Sequence, residues 1–286
     1  MSLKFTGVRR KTEFSPNHVE NDLLIINRTA ENLESMGAKV TMVDEAALSP
    51  DTVTENLIFS MAQGPIGTKA LHAIVTAREC FVINSPSSVC QCYRTNMVSR
   101  LPAAGVPFPR SIVIETGDRT TAAAASRMGG KLWVKRGDVH AVHREDVVQV
   151  ADSSEAMMIV REFAKRGIEQ AILQEHLDGD TVKFYAVRES SFFHWYYLNG
   201  VYHTPFDQTA LIDLAAQSAE ALGLWIFGGD AIIRKDGSIA IIDINDWPSF
   251  APVRDEASRQ IAQLIYRKAQ EYCYARDCKQ EVSSQD

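Results

Sequence analysis

Residues 228 to 245, GGDAIIRKDGSIAIIDIN, decide how this chain is put together. Two apolar runs, Ala231 to Ile233 and Ile239 to Ile242, flank Asp236-Gly237, a dipeptide that favours two-residue turns of the primed type between antiparallel strands. With Asp236 and Gly237 as the two central residues, Asp230 falls opposite Asp243. Asn245, two residues on, projects from the same face. Like charges held opposite each other across a sheet are destabilising unless a cation or a shared proton relieves them. Asp230, Asp243 and Asn245 offer three oxygen donors with no imidazole or thiolate, a set that selects a hard ion such as Mg²⁺ or Mn²⁺. Such an ion keeps positions open for water and phosphate oxygens. The competing reading is an acidic sheet end standing in water.

Around this hairpin the composition is that of an ordinary globular protein. Of 286 residues, 45% are hydrophobic and 23% charged, enough for one large or a few small packed units. A net charge of -6 argues against a general nucleic-acid binder. No apolar run approaches the roughly 20 residues of a membrane span, and the opening MSLKFTGVRRKTEF lacks the apolar core of a secretory signal. Five scattered cysteines without a CxxC pair read as reduced thiols in a cytoplasmic protein. Cys90-Gln91-Cys92 lacks the further ligands of a metal site.

Working outward, the first half alternates strand and helix signals, the mark of a parallel α/β domain over residues 1–110. There DLLIIN reads as a strand, TAENLESMG as a helix stopped by Gly37, and AKVTMVDE as a second strand. ALHAIVTARECFVINSP repeats the pattern, and NMVSRLPAAG reads as a helix broken near Pro102. Beyond Ser111, runs of strands with helices set apart are an α+β signature. The expected division is 111–170, 171–276 and a polar tail at 277–286. FFHWYY, at period two, should be half core and half pocket wall.

In order and spacing, residues 80 to 265 resemble the ATP-grasp superfamily, most of all the glutathione-synthetase-like and RimK-type ligases, with some similarity to inositol phosphate kinases. The acid on one strand followed by acid-x-Asn on the next, here Asp230, Asp243 and Asn245, is similar to that family's magnesium site. The resemblance implies an α/β N-terminal domain followed by an α+β ATP-grasp domain of two subdomains, with ATP in the cleft between them. It gives Lys135, at the end of KLWVK, and Lys183, inside TVKFYAV, the nucleotide phosphates. It gives Gln174, Glu175 and Leu177 the adenine, and Asp180 the ribose. Arg94 stands where the family has its first phosphate-binding lysine. In place of a glycine-rich loop the chain has KRGDVHAVHRED, where His140 and His143 replace small residues and His143 is a candidate to meet the acceptor or the moving phosphate. Arg254, after WPSFAP, is a candidate anion clamp. Each of Arg94, Asp180, His143 and Arg254 has an ordinary competitor, as a helix-surface, turn, loop or helix-start residue.

The resemblance implies an ATP- and magnesium-dependent ligase that joins a small-molecule or peptide carboxylate to an amine or thiol through an acyl phosphate. The alternatives are a kinase acting on a hydroxyl, favoured by Asp-x-Asn over Glu-x-Asn, and a nucleotide-binding module without catalysis. The partners expected are ATP and a small carboxylate or hydroxyl acceptor, with no nucleic acid and no membrane, in a monomer or an oligomer.

Overall fold

A computed structural model of the chain describes residues 2–15, 18–117, 121–139 and 142–283. In the first unit, β1 (Lys4–Arg9) is followed by α1 (Val19–Ser35), β2 (Lys39–Asp44), β3 (Leu57–Ser60), α2 (Pro65–Arg78) and β4 (Phe81–Ile83). The four strands form a parallel sheet in the order β2-β1-β3-β4. DLLIIN, expected as a strand, lies inside α1. The buried residues Asp22, Ile25, Ile26, Thr29, Ala30 and Leu33 recur at helical spacing, so the period over seventeen residues overrides the local apolar run. The first strand is instead KFTGVR, with Phe5 and Val8 fully buried.

Two short helices, α3 (Pro86–Gln91) and α4 (Arg94–Ala103), lead out of this unit, with Pro102 in the last turn of α4. The chain then makes β5 (Ser111–Glu115), α5 (Thr121–Met128), β6 (Leu132–Arg136), β7 (Val147–Val150), α6 (Ser153–Lys165) and β8 (Gln170–Glu175). These strands form an antiparallel sheet ordered β5-β8-β6-β7, over a core that includes Val134, Val160, Phe163 and Leu173. Because β8 pairs with β5 and β6, this sheet runs to Glu175.

The third sheet is β10-β9-β11-β12, from β9 (Asp180–Val187), β10 (Phe193–Asn199), β11 (Ile226–Ile233) and β12 (Ile239–Asp246). Helix α7 (Gln208–Leu222) covers one face. Helix α8 (Arg254–Ser283) returns to the first unit, and its Ile261 and Ile265 share one core with Phe5, Ile25 and Trp247. Residues 277 to 283, expected as a tail, are thus helical. In β10 the alternation holds, with Phe193, Trp195 and Tyr197 packed into the α7 core and Tyr196 towards the α8 side, but the second half meets another core rather than a pocket wall.

The turn that opened the sequence reading is not the expected one. Arg234 N–H donates to the Ser238 carbonyl at 2.9 Å and Gly237 N–H to the Arg234 carbonyl at 2.8 Å. The loop is therefore three residues, Lys235 to Gly237, with Gly237 at φ +81°. That loop shifts the register by one, pairing Ile233 with Ile239 and Ala231 with Ile241. A β-bulge at Ile242 shifts it back, so Asp230 does face Asp243 and Gly228 faces Asn245. The expected pairing is present, reached through two offsets that cancel.

Candidate functional site

Register places the site on one face of the third sheet. Tyr196, Lys183, Asp230 and Asp243 form a row across its four strands. Two residues along lies a second row, His194, Tyr185, Gly228 and Asn245. On the other side of the first row, Thr181 pairs with Ile232. Successive rows stand about 6.6 Å apart, so the face runs from an apolar end through a charged centre to a polar end. Gly228 keeps the second row open, since a Cβ there would come within 2.7 Å of the Phe184 carbonyl and 2.9 Å of Pro248.

Cations meet both aspartates. Lys183 Nζ lies 2.9 Å from Asp230 Oδ1 and an Arg94 amino nitrogen lies 3.0 Å from Asp243 Oδ2. Burial pulls the Lys183 ammonium down, but Asp230 outweighs it and leaves the pKa raised. The other Arg94 amino nitrogen reaches the Arg136 and Val139 carbonyls at 3.4 and 3.5 Å. Arg94 is buried, so it is no helix-surface residue. Lys135, also buried, crosses from the second sheet and donates to the Ile242 carbonyl at 3.3 Å. The carbonyl of the bulge residue thus faces an ammonium. Desolvation, partly offset by Asp243, lowers the Lys135 pKa to about 8.

Two cavities open from this centre. The first, about 510 Å³, lies between the second and third sheets and includes Lys135, Gln174, Glu175, Leu177, Asp230 and Asp243 in its wall. Its apolar sides come from Trp133, Val147, Leu198 and Ile232. Trp133 donates its indole N–H to His176 Nδ1 at 3.1 Å, a contact absent from the sequence expectations. A strand tryptophan in KLWVK carried no signal distinguishing cavity from core. Gln174 is buried and donates to the Ser111 hydroxyl at 3.1 Å.

The second cavity, about 370 Å³, lies beyond Lys183 and is bounded by the first unit. Asn245, His143 and Arg94 reach it, together with Arg10, Asp22 and Gln63, none of which the sequence singled out. Arg10 binds Asp22 at 2.9 Å and the carbonyls of Met61, Asp246 and Trp247 at 3.0 to 3.2 Å. Gln63 donates to Asp246 Oδ1 at 2.8 Å. Gln63 is itself held by the buried Glu45, which accepts from the N–H groups of Lys11, Gln63 and Gly64. His143 precedes a short helical turn; its carbonyl accepts from the Asp146 N–H at 3.1 Å and its own N–H donates to the Asp146 carboxylate at 2.9 Å.

Two expected site residues lie elsewhere. The Asp180 carboxylate is buried and accepts from the Thr204 N–H and hydroxyl at 2.8 and 2.9 Å, which holds its pKa down. It organises the loop after β10 and does not line the first cavity, which takes Gly179 and Thr181 on either side of it. Arg254 donates to Asn21 Oδ1 and joins α8 to α1, outside both cavities. His140 lies outside the described residues. Among the described residues, no group of three or more His, Cys, Asp or Glu could hold a metal ion, so an ion here would rest on two carboxylates and the Asn245 amide. No described helix is long and apolar enough to cross a membrane.

No family model matches the sequence, and no curated protein matches it. Solved structures do match. A D-alanine–D-alanine ligase from Coxiella burnetii aligns at TM-score 0.71 and 14% identity, over 98% of this chain and 99% of the other. A RimK domain protein of the ATP-grasp type from Sphaerobacter thermophilus aligns at TM-score 0.68 and 18% identity, over 92% and 100%. A D-alanine–D-alanine ligase from Bacillus anthracis, solved in complex with ATP, aligns at TM-score 0.70 and 11% identity, over 95% and 99%. With three sheets in this order and near-complete overlap at both ends, the chain has the ATP-grasp fold.

Proposed function

We propose that this protein uses ATP and Mg²⁺ to activate a small carboxylic acid as its acyl phosphate and joins it to an amine or thiol. The observation that carries this reading is the position of Lys183, Asp230 and Asp243 between two cavities, one suited to a nucleotide and one open to a second reactant. The ligases among the structural neighbours support joining over simple phosphorylation.

In this reading adenine enters the first cavity beside Gln174, Glu175 and Leu177, against the apolar walls of Trp133 and Ile232. Lys135 and Lys183 meet the phosphates as point charges. Arg94, held on Asp243, adds a planar donor at the same end. Asp230, Asp243 and the Asn245 oxygen are the hard donors that would hold magnesium, which supplies neutralisation of phosphate charge. The carboxylate oxygen attacks the γ-phosphorus as the bond to ADP breaks. The amine or thiol then attacks the acyl carbon, phosphate leaves, and the nucleophile gives up its proton. Positioning and preorganised charge carry both steps.

The test is a coupled assay of ADP and phosphate release over carboxylic acids, with and without an amine. Phosphate with a condensed product supports the ligase; a stable phosphorylated product with ADP alone replaces it with a kinase. Calorimetry with ATP, in magnesium and in EDTA, checks the nucleotide site itself, and absence of heat from folded protein in both would end the proposal.

A further inference from the structure

The second cavity carries information about the acid it would take, an inference that rests on the ligase reading for its role but not for its chemistry. Both carboxylates in its wall are withdrawn from it. The Asp246 side chain is 0% exposed and the Asp22 side chain 7%, with Asp22 held by Arg10 at 2.9 Å and by the Ser15 hydroxyl at 2.5 Å. The polar side chains left to face a ligand are Lys183, Asn245, Ser249, Arg144, His143 and His18. Lys183 is balanced by Asp230. Arg144 and His18 are exposed, and their side chains make no hydrogen bond or ion pair among the described residues. The His143 side chain is exposed at the same end, while its backbone N–H and carbonyl are held by the Asp146 carboxylate and the Asp146 N–H. Among the described residues of this wall an ammonium group has no accessible carboxylate, and placing it beside Arg144 and Lys183 would be costly. An anion meets donors at both ends of the cavity.

We propose that the acid bound in this cavity carries a second anionic group and no α-ammonium group. Its reacting carboxylate lies by Lys183 and Asn245, and its second anion, a carboxylate or a phosphate, is held by Arg144 with His143 and His18. A guanidinium suits either anion, through two parallel hydrogen bonds. The volume, about 370 Å³, is that of a small-molecule site. Free α-amino acids are thereby disfavoured.

Calorimetric titration of the full-length protein with ADP and magnesium present tests this, using succinate, phosphoglycolate, and D- and L-alanine as probes. Succinate or phosphoglycolate should bind at least tenfold more tightly than either alanine, and the order of the two dianions identifies the second group. Arg144→Gln should weaken the better dianion about tenfold and leave ADP affinity unchanged, with Arg144→Lys recovering part of the loss. Equal or tighter binding of alanine, no binding of either dianion, or an Arg144→Gln protein that binds them normally would overturn the proposal. Phosphate release with alanine would sink this inference and leave the ligase standing. Dianion binding without phosphate release for any amine would do the reverse.

Discussion

Lys135 and Asp243 concentrate the residue-scale consequences. A lysine whose pKa is lowered to about 8 by burial loses its charge across the range in which ATP binding would be measured. If the phosphates require the ammonium, ATP affinity should fall roughly tenfold between pH 7 and pH 9, following the protonated fraction. Binding near pH 8 should take up protons, seen as a dependence of calorimetric heat on buffer ionisation enthalpy. The sign for stability is opposite. Between about 8 and the unfolded value near 10.5 the unfolded chain holds more protons, so the ligand-free fold gains stability as pH rises through that window. Lys135→Met should therefore melt higher than wild type at pH 7 and lose its response to ATP. For Asp243, mutual repulsion with Asp230 suggests that Asp243→Asn would stabilise the fold. The geometry reverses this, because Arg94 is buried against Asp243 and would keep its charge without that partner. Asp243→Asn should abolish turnover and cost roughly 3 kcal/mol in denaturant unfolding.

At the scale of elements, Asp146 is the clearest case of one side chain holding a segment. It is fully buried, accepts from the N–H groups of Val142 and His143 at 2.8 and 2.9 Å, and is paired with Arg166 and, at 3.7 Å, Arg136. Burial would raise its pKa, but those N–H groups and Arg166 outweigh it and hold the carboxyl below the usual range. The stability it contributes is present above the unfolded value near 4 and is lost as pH falls through the folded one. Asp146→Ala should cost about 3–5 kcal/mol in urea unfolding and flatten the acid side of the stability profile. Nothing in HREDVVQV announced this, because its cationic partners come from residues 136 and 166. The hairpin shows the same division. Two apolar runs marked the strands, but the bulge is met by distant groups, the Pro107 carbonyl accepting from the Ile241 N–H and the Lys135 ammonium donating to the Ile242 carbonyl.

Across the whole molecule, Arg10 joins the first unit to the third sheet. Its side chain is 8% exposed, and the guanidinium bridges Asp22 to the end of β12. Arg10→Ala would leave Asp22 buried without its cation, and a loss of about 3–5 kcal/mol in denaturant unfolding is expected. Ligand removal gives the complementary measurement. If Mg-ATP binds only the folded cleft, saturation at a hundred times the dissociation constant should stabilise by about 2.7 kcal/mol. A thermal shift seen with Mg-ATP and abolished by EDTA would locate that energy in the metal-dependent complex.

The sequence by itself marked most of the strands and helices beyond Ser111 and the two apolar strands that carry Asp230 and Asp243, although the facing of those aspartates is reached through a three-residue loop and a bulge that it did not announce. Local periodicity and turn residues carry those elements, whereas the roles of Lys135, Lys183 and segment 174–177 were implied by the resemblance to the ATP-grasp superfamily. Only the tertiary structure decided that Asp180 and Arg254 serve packing, that Arg94 is bound to Asp243, and that the N-terminal unit supplies Arg10, Asp22 and Gln63 to a second cavity. The physical reason is distance along the chain. Arg10 and Asp246 are 236 residues apart, Arg94 and Asp243 149 apart, and no local pattern records which buried charge will meet which.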